Sequence, residues 1–88
     1  MPITVRIPSP LRSYTRGATQ VRASGNSLAE LLADLEHQFP GMRFRMIDEQ
    51  NRIRPHIRLF VNTDEARQLA VPVGASDEVH IICALSGG

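Results

Sequence analysis

The sequence has one cysteine, no tryptophan and no long apolar run. The single cysteine, Cys83, excludes a disulfide within this chain and a four-cysteine metal cluster. Without an apolar run of about 20 residues, a membrane-spanning helix is excluded. A formal net charge of +1 gives no general attraction to nucleic acid or to an anionic membrane. We therefore expect one small domain over residues 1–88, with no nucleic-acid and no membrane partner.

Lysine is also absent, so all 10 basic residues are arginine. One explanation is a genome whose codon usage favours arginine. The other is that a chain whose end becomes an activated acyl group avoids carrying amine nucleophiles of its own. The sequence does not separate these two explanations.

Motifs for catalysis and for metal binding are missing as well. The histidines and Cys83 have no metal-ligand spacing, since no pair lies four residues apart and there is no Cys-x-x-Cys. A glycine-rich phosphate loop and a Gly-x-Ser-x-Gly element are both absent. Cys83 is predicted to be a small buried residue of the core, not a nucleophile. We expect a chain that binds no cofactor and enters chemistry as a substrate or carrier, not as an enzyme.

Alternation of apolar and polar residues predicts an α+β fold with a mixed sheet. Alternate residues face the core, so the odd-numbered positions of Ile3–Ile7 and of Thr19–Ala23 are predicted inward. In the last strand, Val79, Ile81 and Cys83 are assigned to the inner face. The predicted strands are Ile3–Ile7, Thr19–Ala23, Ile57–Val61, a brief edge strand at Arg67–Leu69, and a last strand over Val79–Ala84.

One clear helix is predicted between the second and third strands. The stretch from Ser27 to Glu30 has the form of a capping box, in which the two residues satisfy each other's backbone donors. Leucines follow at helical spacing up to Phe39, and Pro40 ends the helix. This leucine face is expected to cover the sheet. For residues 42–47 we favour a short helix that runs into a polar turn.

Five arginines between Arg43 and Arg58 would suit a nucleic-acid surface. However, Asp48 and Glu49 interrupt them, and almost no exposed aromatic residues are available to stack on bases. The pattern favours a solvated surface, or one that meets an acidic partner.

The sequence ends on Gly87 and Gly88. One interpretation is a frayed terminus without function. The other is that the Gly88 carboxylate is the reactive group, because a tail without side chains enters a narrow enzyme site that Cβ atoms would block. In that case residues 84–88 form an extended reactive tail, in which Leu85 and Ser86 contact the partner and Gly87 gives access.

Alternation also assigns two apolar residues, Phe60 and Ile82, to the solvent face of the sheet. Arg6 and His80 are predicted on the same face. Clustered exposed apolar residues mark docking surfaces, although single ones are common and need no function. We predict a partner-binding patch made of Arg6, Phe60, His80 and Ile82.

Taken in order along the chain, these features resemble the ubiquitin-like sulfur carrier proteins. The long first loop and the arginines before Phe60 look most like the carriers of cysteine biosynthesis. The residues before the glycines lack the prolines that often stand there in the small subunit of molybdopterin synthase. The resemblance is carried by Ala23-Ser24-Gly25-Asn26-Ser27-Leu28, Phe60-Val61-Asn62, Asp77-Glu78-Val79, Ile82 and Gly87-Gly88.

This resemblance implies a ubiquitin-like β-grasp fold, with a mixed sheet of four or five strands, one main helix and a flexible diglycine tail. It implies that an E1-like adenylating enzyme uses ATP and magnesium to form an acyl-adenylate at Gly88, which a sulfur source converts to a thiocarboxylate. An acceptor enzyme, either cysteine-synthase-like or the large subunit of molybdopterin synthase, then takes the sulfur. The family places the contact with the activating enzyme on the outer sheet face, here Phe60 and Ile82.

Other functions stay open at this point. The same fold and tail suit a thiamine sulfur carrier, the small subunit of molybdopterin synthase, a ubiquitin-like modifier, or a binding module without carboxylate chemistry. A tail-processing protease is a further partner if Gly88 is exposed from a longer precursor. The start of the sequence lacks the charged and apolar regions of a signal peptide, so we expect a cytoplasmic protein.

Overall fold

A computed structural model describes residues 2–84, which form a mixed sheet with a helix packed on one face. The elements are β1 (Ile3–Arg6), a 3₁₀ turn (Ser9–Leu11), β2 (Gln20–Ala23), α1 (Leu28–Gln38), α2 (Met42–Met46), β3 (Ile57–Val61), β4 (Asp64–Ala66) and β5 (Glu78–Cys83). The five strands lie in the order β2-β1-β5-β3-β4. The β1–β5 pair is parallel and the other neighbours are antiparallel. The predicted α+β architecture is confirmed.

The core lies between α1 and the inner face of the sheet. The four leucines of α1 are fully buried, and the odd-numbered residues of β1 meet them from the other layer. Burying a leucine fully is worth about 1.5–3 kcal/mol, so this face holds the helix on the sheet. The predicted role of the leucine face is confirmed. The largest fully buried side chains are those of Ile3, Val5, Leu28, Leu31, Leu32, Leu35, Met42, Met46, Ile47, Leu59, Val79 and Ile81.

The start of α1 is capped, though not by the reciprocal pair that the sequence predicts. Ser27 is the N-cap, and its Oγ accepts a hydrogen bond of 3.3 Å from Glu30 N. The Glu30 carboxylate accepts from Asn26 N at 2.9 Å, and the predicted bond to Ser27 N is wrong. Glu30 therefore fixes the chain one residue before the cap.

The loop before β5 supplies two further caps for α1. Leu28 N donates to Val71 O and Ala29 N donates to Leu69 O, both at 3.0 Å. The first amides of a helix have no partner inside the helix, so these two carbonyls replace water there. Contacts of this kind join the helix start to the far end of the chain.

The edge strand lies at Asp64–Ala66, and the prediction of a strand at Arg67–Leu69 is wrong. Asn62 adopts a positive φ of 58°, which asparagine tolerates better than most residues. This conformation makes a two-residue turn at Asn62 and Thr63, so Asp64 pairs with Val61 and the edge strand begins three residues earlier than predicted. The inward assignment of Thr19 is also wrong, because Thr19 lies just outside β2 and is exposed.

Within residues 2–84, no helix combines the length and the apolar character needed to cross a bilayer.

Gly25 lies where the backbone passes close to the first turn of α1. A Cβ atom there would lie 2.6 Å from Leu31 N and 2.9 Å from the carbonyl carbon of Glu30. Both atoms belong to helix backbone, which cannot move aside without breaking the cap. We therefore expect Gly25→Ala to lower the free energy of unfolding by about 1–3 kcal/mol, measured by urea denaturation.

The matched control for this variant is Gly74→Ala. A Cβ atom at Gly74 would meet only Asp77 Oδ2, at an ordinary 3.7 Å. We expect its unfolding midpoint to stay close to that of the unaltered chain. Equal destabilisation by the two alanines would show that the close approach at Gly25 is not the cause.

Candidate functional site

Strand pairing brings the four residues of the predicted patch onto one face of the sheet. His80, on the central strand β5, lies opposite Arg6 on β1 and opposite Phe60 on β3. Ile82 follows two positions along β5 on the same face, opposite Arg58. The prediction that Arg6, Phe60, His80 and Ile82 share the outer face is confirmed.

The apolar centre of this patch is formed by Ile82 and Phe60. Ile82 is 44% exposed, and within residues 2–84 no other large aliphatic residue is exposed. Phe60 is half-buried, since it lies between His80 and Glu65 in the row across the sheet. The helix covers the opposite face, so α1 does not shield either residue.

Charged groups border the apolar pair on the β1 side. His80 Nε2 lies 2.9 Å from Glu78 Oε1, and Arg6 Nη2 lies 3.4 Å from Glu78 Oε2. An exposed ion pair such as Arg6–Glu78 adds little to stability, typically less than about 1 kcal/mol. The two contacts of Glu78 hold the three polar side chains beside the apolar centre in a defined arrangement.

A second charged border lies on the β4 side of the patch. The Glu65 carboxylate forms ion pairs with two arginines. Its Oε1 lies 3.8 Å from Arg58 Nη1 and 3.6 Å from Arg67 Nη2. An apolar centre with a polar rim is the usual anatomy of a protein–protein interface. The outer face of the sheet therefore has the composition of a docking surface. We call the surface formed by Arg6, Phe60, His80 and Ile82 the outer patch.

The turn that leads into β5 is fixed by Asn62 and Asp77. Asp77 Oδ1 accepts from Asn62 Nδ2 at 2.9 Å, and Asp77 Oδ2 accepts from Gly74 N at 2.8 Å. Asn62 Oδ1 in turn accepts from Glu78 N at 3.0 Å. The bond from Asn62, and then the bond from Gly74, stabilise the carboxylate and lower the pKa of Asp77. This network sets the position at which β5 enters the sheet.

This network predicts a pH-dependent stability. A carboxylate whose pKa is lowered by folding stabilises the protein fully above its unfolded pKa, about 3.9, and loses that contribution as pH falls through the folded value. The difference in unfolding free energy between the unaltered chain and Asp77→Asn should therefore be largest near neutral pH and narrow below about pH 4. Urea denaturation of both proteins at several pH values measures it.

Asp64→Asn, a change at an exposed aspartate on β4, is the control for the loss of one negative charge. A gap between the unaltered chain and Asp77→Asn that stays constant down to acidic pH would contradict the role given to the Asp77 carboxylate.

Ala84 is the last residue that the structure describes. Ala84 N donates to His56 O at 2.8 Å, which extends the β3–β5 pairing by one bond beyond the last strand residue. Leu85, Ser86, Gly87 and Gly88 lie outside the described residues, so their assigned roles stay predictions.

Beside Ala84 the structure has a cleft that the sequence did not predict. It encloses about 430 Å³ and is lined in part by Tyr14, Arg45, His56, Cys83 and Ala84, which we call the tail-root cleft. Cys83 packs against the core, as its predicted inner-face position requires, but the prediction that it is buried is wrong, since Cys83 is half-buried and lines this cleft. It pairs with Ile57, the first residue of β3, so it lies at the end of the sheet where the core stops.

No group of three or more histidine, cysteine or acidic side chains within residues 2–84 is placed to hold a metal ion. The described residues instead offer a docking surface on the outer face of the sheet and a cleft beside Ala84, at the end of the sheet.

Comparison with known proteins identifies the family. A sequence profile described as the ThiS family matches residues 5–88. The sulfur carrier protein CysO of Mycobacterium tuberculosis is 34% identical, and the alignment covers 100% of both chains.

Solved structures agree with this result. A chain in the crystal structure of the Amycolatopsis orientalis BexX/CysO complex superposes with a TM-score of 0.91 at 31% identity, covering 98% of this chain and 99% of that one. The small archaeal modifier protein SAMP1 of Haloferax volcanii superposes with a TM-score of 0.83 at 21% identity over the whole of both chains, which shows a shared fold. The chain therefore belongs to the ThiS family and has the ubiquitin-like β-grasp fold.

Proposed function

We propose that this chain is a sulfur carrier whose Gly88 carboxylate is adenylated by an E1-like enzyme and converted to a thiocarboxylate that donates sulfur in biosynthesis. The observation that carries the proposal is the full-length alignment with the sulfur carrier CysO at 34% identity. The family match runs through both terminal glycines to residue 88. The chain acts as a carrier for partner enzymes and not as a catalyst.

The chemistry explains why a carrier needs a bare chain end. A Gly88 carboxylate oxygen attacks the α-phosphate of ATP, which forms the acyl-adenylate and releases pyrophosphate. A sulfur nucleophile such as sulfide then attacks the carbonyl carbon, and AMP leaves with the oxygen. The thiocarboxylate that results is a stronger nucleophile than the carboxylate. Acid, base and electrostatic stabilisation come from the enzymes, while ATP and magnesium are bound by the activating enzyme.

The outer patch is the surface proposed for the activating enzyme. Ile82 lies on β5, two residues before Ala84, and Phe60 lies on the neighbouring β3, so an enzyme that covers this apolar centre is close to the point where residues 85–88 begin. Residues 85–88 reach at most about 14 Å from Ala84 when extended. Docking on the patch therefore restricts where the Gly88 carboxylate can be presented.

A second enzyme is proposed to accept the sulfur. The Amycolatopsis orientalis relative is found in a complex with BexX, so a carrier of this family does assemble with a partner protein. We propose a corresponding complex for this chain, with an acceptor in cysteine biosynthesis, because the relatives at 34% identity are CysO proteins.

Intact mass spectrometry tests the proposal. The purified chain is incubated with its activating enzyme, ATP, magnesium and sulfide. We expect a mass increase equal to the replacement of one oxygen by one sulfur, and we expect none when ATP is omitted. An enzyme that is active on another carrier but gives neither adenylate nor thiocarboxylate with this chain would refute the proposal. Heavier adducts on target proteins in cell extract would instead indicate a protein modifier.

A further inference from the structure

Two arginines that line cavities near Ala84 make no ion pair with a carboxylate of residues 2–84. Within residues 2–84, the ion pairs of arginine with carboxylates involve Arg6, Arg52, Arg58 and Arg67. Arg45 and Arg54 are not among them. Each makes its hydrogen bond to a neutral oxygen instead, so neither positive charge is compensated by a carboxylate of the described chain. Arg12 and Arg43 also bond only to neutral oxygens, but neither lines these cavities.

The neutral partners hold both side chains by Nε. Arg45 Nε donates to Tyr14 Oη at 2.7 Å, and Arg54 Nε donates to Phe44 O at 2.7 Å. Because only Nε is used in these hydrogen bonds, the two terminal nitrogens of each guanidinium can donate to an acceptor on another protein. A guanidinium held in this way loses less conformational entropy when it binds a carboxylate by two parallel bonds.

The two arginines line adjoining spaces. The tail-root cleft includes Arg45 and His56, and a second cavity of about 200 Å³ is lined by Phe44, Arg45, Arg54 and His56. The two cavities share Arg45 and His56 and so form one continuous surface beside Ala84. Its most exposed large apolar side chain is Phe44, which is 57% exposed and whose ring lies 4.5 Å from the Arg54 guanidinium carbon.

The position of this surface points to a partner that acts on the Gly88 end of the chain. Any enzyme that takes the Gly88 carboxylate lies within about 14 Å of Ala84, the length of four extended residues. The cleft starts at Ala84 itself. Carboxylates are the protein groups that accept two parallel hydrogen bonds from a guanidinium, and an apolar side chain can pack on the exposed Phe44 ring.

We propose that this surface binds an acidic segment of the activating enzyme. Arg45 and Arg54 each form an ion pair with a carboxylate of that segment. The surface consists of Tyr14, Phe44, Arg45, Arg54 and His56. This inference rests on the proposed carrier function, whose partner it specifies. This contact with the acidic segment lies beside Ala84 and is separate from the contact at the outer patch.

The test compares two double variants of equal charge. Arg45→Gln with Arg54→Gln alters the surface, and Arg16→Gln with Arg22→Gln, at two exposed positions elsewhere, is the control. Each pair removes two positive charges and takes the formal net charge from +1 to −1. We expect the first pair to raise the KM of the activating enzyme for the carrier about tenfold with little change in kcat, as for the loss of two charged interface contacts. The control pair should leave KM nearly unchanged.

Two further variants distinguish a loss of binding from a loss of folded structure. Arg45→Gln alone, at an exposed residue, keeps the Arg54 bond to Phe44 intact and should give part of the rise in KM. Tyr14→Phe keeps both charges but removes the acceptor of Arg45 Nε, so it should also raise KM, by less than the double variant. Circular dichroism checks that all variants are folded.

Several results would overturn the proposal. Equal rises in KM for both double variants would indicate general charge attraction, and no rise in either would show that the enzyme does not use this surface. A fall in KM would mean that the arginines hold the chain's own tail carboxylate. Stronger competition by an oligonucleotide than by a glutamate-rich peptide would point to nucleic acid. If the unaltered chain forms no thiocarboxylate, the proposed function itself fails, which is a different outcome.

Discussion

Deleting Gly88 is expected to abolish thiocarboxylate formation completely while the fold stays intact. The reacting carboxylate then belongs to Gly87 and is withdrawn by about 3.5 Å, the span of one extended residue. Reacting atoms need to approach within about 3–3.5 Å in a productive orientation, so a shift of this size removes the adenylation step. Intact mass after incubation with the activating enzyme, ATP, magnesium and sulfide measures the loss.

Extension of the chain gives the complementary test. Adding one alanine after Gly88 moves the carboxylate outward and places a Cβ beside it, and we again expect no thiocarboxylate. Gly74→Ala is the control, because it adds the same methyl group to a loop where space is available. If the extended chain is modified as fast as the unaltered one, either Gly88 is not the reacting residue or the added alanine is removed before activation.

The second large effect is expected at the outer patch. Ile82→Asp places a charge at the exposed apolar centre, where it would be desolvated on docking without a partner. Residues at the centre of an interface commonly contribute about 2 kcal/mol or more, which corresponds to roughly thirtyfold in binding. We therefore expect kcat/KM for adenylation to fall by about thirtyfold, mainly through KM. Because Ile82 is 44% exposed, the free energy of unfolding should change little.

Ala33→Asp is the matched control for this variant. Ala33 is exposed on α1, which covers the opposite face of the sheet, so the same carboxylate is introduced far from the patch. We expect normal adenylation of this control. A loss at Ala33 as large as at Ile82 would mean that added negative charge anywhere weakens the encounter, and the outer patch would have no special role.

The sequence predicted the parts of the fold that depend on local patterns. The leucine spacing and Pro40 gave α1 nearly to its observed end at Gln38, because a helical period and a proline act within a few residues. Alternation placed Ile82 and His80 correctly on the outer face. It could not say that His80 lies between Arg6 and Phe60, since strand order depends on contacts between distant segments.

The errors have the same origin. Alternation could not locate β4, because the positive φ of Asn62, which starts the strand early, is a property of one residue. The tail-root cleft is assembled from four separate segments of the chain, at Tyr14, Arg45, His56 and Cys83. No local pattern marks residues that meet only through tertiary packing, so neither the cleft nor the exposure of Cys83 could be read in advance.

The tail is carried by the central strand of the sheet. β5 has a hydrogen-bonded neighbour on each side, β1 in parallel and β3 in antiparallel pairing, and its Val79 and Ile81 are buried beneath α1. An enzyme that pulls on Gly88 therefore loads two rows of hydrogen bonds in shear, and cannot peel an edge strand away. The amides of Val79 and Ile81 should exchange with solvent only on global unfolding. We therefore expect the sheet to stay folded while partner enzymes repeatedly bind and release the chain end that follows β5.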